Sequence, residues 1–156
     1  MVGTFHQYRL RHPYNEVAHP LTRHFVARLQ ARIAVSQAAL QTASPYFPGE
    51  YEVIPNGVDI GRYQRALPLS RVRDGEHLNI LYMGRLEARK GLRYLLQAYR
   101  QVRCQLPQVR LWVVGAYTKA ERLGFVRWVR HYGVRGVRFI GQVDEATKAR
   151  WYRSAD

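Results

Sequence analysis

The chain has 156 residues, of which 47% are hydrophobic and 23% charged, and this globular composition argues against a disordered protein. No apolar run reaches the roughly 18 residues that span a bilayer, and the N-terminus lacks a signal-peptide pattern, so we expect a cytoplasmic protein. The formal charge of +14 predicts attraction to phosphate groups of a nucleotide, an anionic membrane or a nucleic acid.

The distribution of the basic residues along the chain distinguishes between these kinds of partner. Only three of the 25 are lysines, and the arginines are spread along the chain instead of forming one run. This pattern fits a solvated or membrane-facing surface better than an RNA-binding tail, and no aromatic RNA-recognition signature is present. We therefore expect no nucleic-acid partner. The spacing of the histidines and of Cys104 gives no metal site.

The first part of the chain has irregular element signals. They are the exit of a strand at 3–6, helical apolar spacing over 21–33, a short strand at 34–36 that runs into a helix capped by Ser36, a strand at 51–55, and a turn at Asn56-Gly57. Both residues tolerate a positive φ angle, which suits a turn. A polar stretch at 61–77 then predicts a linker.

The second part alternates regularly between strands and helices. The predicted order is strand 79–84, helix 90–105, strand 109–115, helix 119–132, strand 137–143 and helix 145–154. This alternation predicts a parallel α/β sheet with right-handed crossovers. Because a doubly wound domain normally has five or six strands, three predict an incomplete sheet. We expect residues 1–60 to end one domain and residues 78–156 to begin another.

The turn after the strand at 79–84 carries the strongest chemical signal. Gly84 allows a close backbone approach, and Arg85, Arg89 and Lys90 supply three cations before the next helix. Arginine binds phosphate through forked hydrogen bonds, whereas lysine acts as a point charge. Solvated surface charges would give the same pattern, and spacing alone leaves both interpretations open.

Two other positions are candidates with ordinary structural alternatives. Asp144 and Glu145 begin a predicted helix, where Asp144 would serve as an N-cap and Glu145 would favour the helix dipole. His6 follows a strand and could orient a hydroxyl or relay a proton, although a lone histidine is more often structural.

Ordered motifs along the chain carry a resemblance to a known family. Val53-Ile-Pro-Asn-Gly-Val-Asp59, Met83-Gly-Arg-Leu86, Arg89-Lys-Gly91 and Val113-Val-Gly115 resemble a family 4 retaining glycosyltransferase of the GT-B type. Within this family, the chain resembles most the bacterial phosphatidylinositol α-mannosyltransferases, which share Thr4-Phe-His6 and Phe139-Ile-Gly-Gln-Val-Asp144. A GT-B fold would make this chain the end of the N-terminal Rossmann-like domain and the first half of the C-terminal one.

The resemblance implies a role for each motif residue. It implies that Arg85, Arg89 and Lys90 hold the donor diphosphate without a protein-bound metal and that His6 lies near the transferred sugar. The donor base would contact Val143, Asp144, Glu145 and Lys148, while Asn56, Gly57, Gly84 and Gly91 would be hinge or structural residues.

The resemblance also implies a reaction and its partners. A hexose, mannose from GDP-mannose, would pass with retention to a lipid or glycan acceptor such as phosphatidylinositol, at the inner face of an anionic membrane. The family's glycine-rich loop and paired glutamates are absent from these 156 residues, so we expect an inactive fragment. The alternative is a basic, non-catalytic α/β module that binds RNA or anionic lipid.

Overall fold

The computed structural model describes residues 1–6 and 24–156. The chain divides into two compact units, Met1–Val58 and Asp59–Asp156. No helix within the described ranges combines the length and the apolar character needed to cross a membrane.

The first unit contains a parallel sheet in the order β1-β2-β3. Its strands are β1 (Val2–Phe5), β2 (Ala31–Ala34) and β3 (Glu52–Val53), and helix α1 (Gln37–Ala43) follows β2. The Ser36 side chain accepts a hydrogen bond of 3.1 Å from the Ala39 amide, which confirms the predicted N-cap.

Two sequence predictions for this unit differ from the structure. Residues 24–27 of the predicted helix over 21–33 are helical, and residues 21–23 lie outside the described part. Its last residues belong to β2, because they pair in parallel with both β1 and β3. The turn predicted at Asn56-Gly57 is also wrong, since residues 54–59 form no turn and neither Asn56 nor Gly57 has a positive φ angle.

The second unit contains the regular alternation that the sequence predicts. Its elements are α2 (Ile60–Arg65), β4 (Leu78–Met83), a 3₁₀ turn (Ala88–Lys90), α3 (Leu92–Gln105), β5 (Val109–Val114), α4 (Lys119–His131), β6 (Val137–Gly141) and α5 (Glu145–Ser154). The three strands are parallel, in the order β4-β5-β6. The predicted α/β class is confirmed.

Both faces of the central strand β5 are buried. On one face Leu111 and Val113 join a cluster with Leu96 and Tyr99 of α3. The cluster on the other face contains Val114, Leu69, Val72 and Trp151. Helices on both faces are the layering expected for a parallel sheet.

The residues predicted as a linker, 61–77, lie within the second compact unit. They include most of α2, and Leu69 and Val72 pack against Trp151 of α5. The Leu69 amide also donates a 2.7 Å hydrogen bond to the Ser154 hydroxyl. The apolar side chains explain this placement, because burial removes them from water.

Candidate functional site

The carboxyl ends of β4, β5 and β6 meet at one edge of the sheet. Gly115 follows β5 with φ +147°, and a Cβ atom on it would overlap the Gly84 carbonyl oxygen. Its amide donates a 2.8 Å hydrogen bond to Gly141. Ligands of open parallel sheets bind just beyond the carboxyl ends of the strands. The segments that follow β4, β5 and β6 therefore surround a candidate site.

A cationic turn, which we define as residues 84–91, leaves the end of β4. The Tyr82 hydroxyl donates a 2.8 Å hydrogen bond to the Arg85 carbonyl, and the Leu86 side chain is buried. Gly91 ends the 3₁₀ turn in the left-handed region, with φ 73° and ψ 13°. The backbone of the cationic turn is therefore fixed at both ends.

The structure brings the predicted phosphate-binding arginines together around one carboxylate. The Nε atom of Arg85 lies 2.9 Å from Oε1 of Glu87, and the Nε atom of Arg89 lies 2.7 Å from Oε2. Lys90 follows in the same turn and is exposed. Sequence reasoning missed Glu87, because its pairing depends on the path of the turn.

A cleft of about 360 Å³ borders the turn. It is lined by Arg85, Glu87, Ala116, Tyr117, Thr118 and Glu121. Thr118 and Glu121 form a capping box at the start of α4. The pKa of Glu121 is lowered chiefly by a hydrogen bond from the Thr118 amide, and next by one from the Thr118 hydroxyl. The positive charge of Arg85 also lowers it. The cleft therefore combines an aromatic ring with groups of both charge signs.

The predicted base-binding residues lie in the turn between β6 and α5. Asp144 is the N-cap of α5, and its Oδ1 accepts a 2.7 Å hydrogen bond from the Thr147 amide, which lowers the pKa of Asp144. Glu145 forms ion pairs with Lys148 and, at 3.7 Å, with Arg62. Asp144 is thus the N-cap that its structural interpretation expects, and its base-binding role stays a prediction.

Val143 packs against the cluster that contains Trp151, whereas Glu145 is exposed. The pKa of Glu145 is lowered, chiefly by its hydrogen bond to Lys148, and the pKa of Lys148 is raised for the same reason. Both side chains are therefore charged near neutral pH. Arg62 is a neighbour of this turn that spacing along the sequence could not reveal.

His6 belongs to the first unit and lies just beyond the end of β1. It is exposed at a cavity of about 330 Å³ lined by Thr4, Phe5, His6, Thr42, Ala43, Tyr46 and Phe47. The Phe5 ring lies 5.9 Å from Phe47 and 5.4 Å from Tyr51 between ring centroids. The catalytic role of His6 stays a prediction, as do the hinge roles of Asn56 and Gly57.

One group of possible metal ligands lies at the opposite, amino end of β4. Within the described ranges, Asp74, Glu76 and His77 offer ligand atoms less than 4.8 Å apart. Arg110 already occupies this group, with Nη1 at 2.7 Å from Asp74 and Nη2 at 2.8 Å from His77. The guanidinium charge opposes a metal cation there, so we interpret the group as structural.

Comparison with known families identifies the second unit. A family model described as "Glycosyl transferases group 1" matches residues 77–156, half of the chain. The chain belongs to this family. The match begins just before β4 and covers both the cationic turn and the turn before α5.

Curated relatives extend the similarity to the first unit. A phosphatidyl-myo-inositol mannosyltransferase of Mycolicibacterium smegmatis is 33% identical over 100% of this chain and 39% of its own length. A protein of the same name from Propionibacterium freudenreichii is 34% identical over 84% of this chain and 32% of its own length. The chain thus spans about a third to two-fifths of these relatives.

The fold comparison covers nearly the whole chain. The solved structure of Anabaena Alr3699/HepE in complex with UDP and glucose matches with a TM-score of 0.75 and 20% identity, over 98% of this chain and 44% of that chain. Identity at this level shows the fold alone. The fold is of the GT-B type, as the sequence motifs implied.

Proposed function

We propose that this chain supplies donor-binding residues of a family 4 glycosyltransferase that transfers mannose from GDP-mannose to phosphatidylinositol with retention. The observation that carries the proposal is the cationic turn at the carboxyl end of β4, inside the family match. Relatives named phosphatidyl-myo-inositol mannosyltransferase support the choice of sugar and acceptor.

The proposed role of the cationic turn is to stabilise the leaving group. The bond between the anomeric carbon and the diphosphate oxygen breaks, and the acceptor oxygen bonds to the same face of the sugar. Negative charge grows on the departing phosphate, where Arg85, Arg89 and Lys90 stabilise it more strongly than in the ground state. The acceptor hydroxyl gives its proton to that phosphate. These side chains supply the positive charge, so the proposal requires no protein-bound metal.

The turn before α5 is proposed to select the base. Guanine offers N–H donors on its Watson–Crick edge, and the exposed carboxylate of Glu145 or the backbone around Asp144 can accept them. Uracil lacks the exocyclic amino donor of guanine, which favours GDP over UDP. We assign to His6 the orientation of the acceptor hydroxyl.

The charge of the chain supports peripheral attachment to an anionic inner membrane leaflet, where a lipid acceptor would reside. A vesicle-flotation assay tests this attachment with phosphatidylcholine vesicles that contain or lack phosphatidylinositol. We expect the chain to float only with the anionic vesicles, and to be released by high salt.

The donor site is tested by measuring GDP affinity of the chain and of R85E/K90E. Each lost charge-assisted hydrogen bond is worth about 1.5–3 kcal/mol, so two reversals lower the affinity by about 100-fold or more. The control R127E/R130E makes the same charge change on exposed residues of α4 and should retain most of the affinity.

Equal losses in the two variants, or unchanged affinity in R85E/K90E, would contradict the site. Incubation with radiolabelled GDP-mannose and phosphatidylinositol vesicles tests the reaction itself in the complete protein that carries this chain. A protein that binds RNA but no guanine nucleotide would favour the basic, non-catalytic module.

A further inference from the structure

We propose that Glu87 is a positioning residue, which holds Arg85 and Arg89 in the orientation that binds a diphosphate. The inference rests on the proposed function, because the anion it concerns is the diphosphate of the donor nucleotide. It adds a residue of opposite charge to a site that the sequence describes only by its cations.

The geometry of the ion pairs carries the proposal. Glu87 uses a different carboxylate oxygen for each partner, at 2.9 Å from Nε of Arg85 and 2.7 Å from Nε of Arg89. A guanidinium has five N–H donors, one on Nε and four on the two Nη atoms. Pairing through Nε therefore leaves the four Nη donors of each arginine outside these pairs, and these donors form the fork that binds phosphate oxygens.

Burial distinguishes the carboxylate from the guanidiniums that it holds. The Glu87 side chain is 29% exposed, whereas the side chains of Arg85 and Arg89 are 62% and 64% exposed. Glu87 lines the cleft together with Arg85, but each of its carboxylate oxygens is paired with an arginine, and the arginines are the more accessible groups. Its charge also reaches Tyr82, whose pKa is raised first by desolvation and then by Glu87.

The backbone below Glu87 is well supported. Its carbonyl accepts a 2.9 Å hydrogen bond from the Lys90 amide, and the preceding Leu86 is only 2% exposed. The Tyr82 hydroxyl holds the carbonyl of Arg85. A carboxylate on this backbone can orient two long side chains that would otherwise sample many rotamers.

Two physical effects of Glu87 act in opposite directions. Its negative charge reduces the charge of Arg85, Arg89 and Lys90 from +3 to +2, and simple attraction then predicts weaker anion binding. Against this, the ion pairs offset the mutual repulsion of the guanidiniums and order them before the ligand arrives. Water around the exposed side chains weakens the repulsion between Glu87 and the ligand, whereas two disordered arginines would each have to be ordered on binding, so we expect the ordering effect to dominate.

The variant E87Q separates the two effects. It makes the turn more positive but weakens its hold on both arginines, so the positioning role predicts a rise of about fivefold in the GDP dissociation constant, the size expected for one or two disordered side chains. The control E50Q makes the same charge change at an exposed residue of the first unit and should alter the constant less than twofold. Affinities are measured by NMR titration of the whole chain with GDP.

A second background tests positioning against general structural support. In R85A/R89A, no guanidinium is left to orient, so adding E87Q should cause no further loss of affinity. The midpoint of thermal unfolding should differ little between E87Q and the wild type, since the changed groups are largely exposed.

Tighter or unchanged GDP binding by E87Q overturns the inference, as does an equal loss in the R85A/R89A background. Absence of GDP binding by the wild type overturns the proposed function itself. Binding that R85E/K90E abolishes but E87Q leaves intact would retain the donor site and remove only the role of Glu87.

Discussion

In the second unit, polar side chains pair with one another at the amino end of the sheet but are largely exposed to solvent at the carboxyl end. At the amino end, Asp74, His77 and Arg110 bond to one another. At the carboxyl end, Arg85 and Arg89 lie mostly in solvent beside a shared carboxylate. Paired polar groups at the first end stabilise the fold, whereas exposed donors at the second remain available to an anion.

At the amino end, Asn79 is hydrogen-bonded through both its side chain and its backbone. It is only 1% exposed, yet its polar atoms are hydrogen-bonded. The side-chain NH₂ group donates a hydrogen bond of 2.9 Å to the His77 carbonyl, and Oδ1 accepts one of 2.9 Å from the Trp112 indole. Its backbone amide donates a hydrogen bond of 2.9 Å to the Asp156 carboxylate. A buried polar side chain is tolerated when its hydrogen bonds are made, so this end is expected to respond to mutation through stability.

The largest expected effect is that of W112F, because the Trp112 indole donates a hydrogen bond to Asn79 at the amino end. The change leaves Oδ1 of buried Asn79 without its donor and removes part of the packing against Trp151, whose ring centroid lies 5.3 Å away. We expect a loss of about 2 kcal/mol in the free energy of unfolding, measured in urea. The GDP affinity of the folded protein should not change.

The matched change W128F removes an indole that contacts Tyr132 in the half-buried surface between α3 and α4. It should destabilise the protein less than W112F. If W112F weakened GDP binding without loss of stability, the division between the two ends would be wrong.

A smaller effect is expected for G91A at the carboxyl end. An alanine in the left-handed region is strained, so we expect a loss of about 1 kcal/mol in the free energy of unfolding. GDP affinity should fall as well, because Gly91 fixes the end of the cationic turn. Calorimetric unfolding and NMR titration measure the two quantities.

The control G124A makes the same chemical change inside α4, where a Cβ atom would meet no neighbour within 4 Å. Alanine favours a helix over glycine by about 1 kcal/mol, so the control should be stabilising. Stabilisation of both variants would contradict the strain that the structure gives Gly91.

The smallest expected effect is a pH dependence that D74N removes. Desolvation raises the pKa of Asp74, but hydrogen bonds from the Glu76 amide, His77 and Arg110 outweigh it and lower the value to about 2. A lowered folded-state pKa means that Asp74 stabilises the fold above its ordinary value of 3.8, and that this contribution disappears as pH falls towards 2.

Urea midpoints measured from pH 5 to pH 2 should therefore fall more steeply for the wild type than for D74N. The variant E76Q changes a neighbouring exposed carboxylate and should follow the wild type. Parallel curves for the wild type and D74N would show that the amino-end network adds no pH-dependent stability.

Regular periodicity made the second unit predictable from sequence. The predicted strand at 79–84 is β4, Leu78–Met83, and the predicted helix at 145–154 coincides with α5. Alternating strands and helices have strong and different repeats, so their type and order can be predicted. The short strand β2, Ala31–Ala34, was predicted too late, at 34–36, because four residues hold too little of a repeat and its bounds depend on pairing with distant strands.

The candidate site was predictable only in part. The cations of the turn and the N-cap role of Asp144 follow from residue type and local order. The double pairing of Glu87 and the contact between Arg62 and Glu145 depend on the path of the backbone in three dimensions. Base recognition and the role of His6 remain predictions, because they concern ligands.

Mapping GDP binding along the chain tests the central claim most directly. Backbone amide shifts recorded by NMR during titration with GDP should change at residues 84–91 and 143–148. Residues 74–79 and Arg110 at the amino end should not respond. Shifts confined to the amino end, or spread evenly over exposed arginines, would contradict a donor site at the carboxyl end of β4.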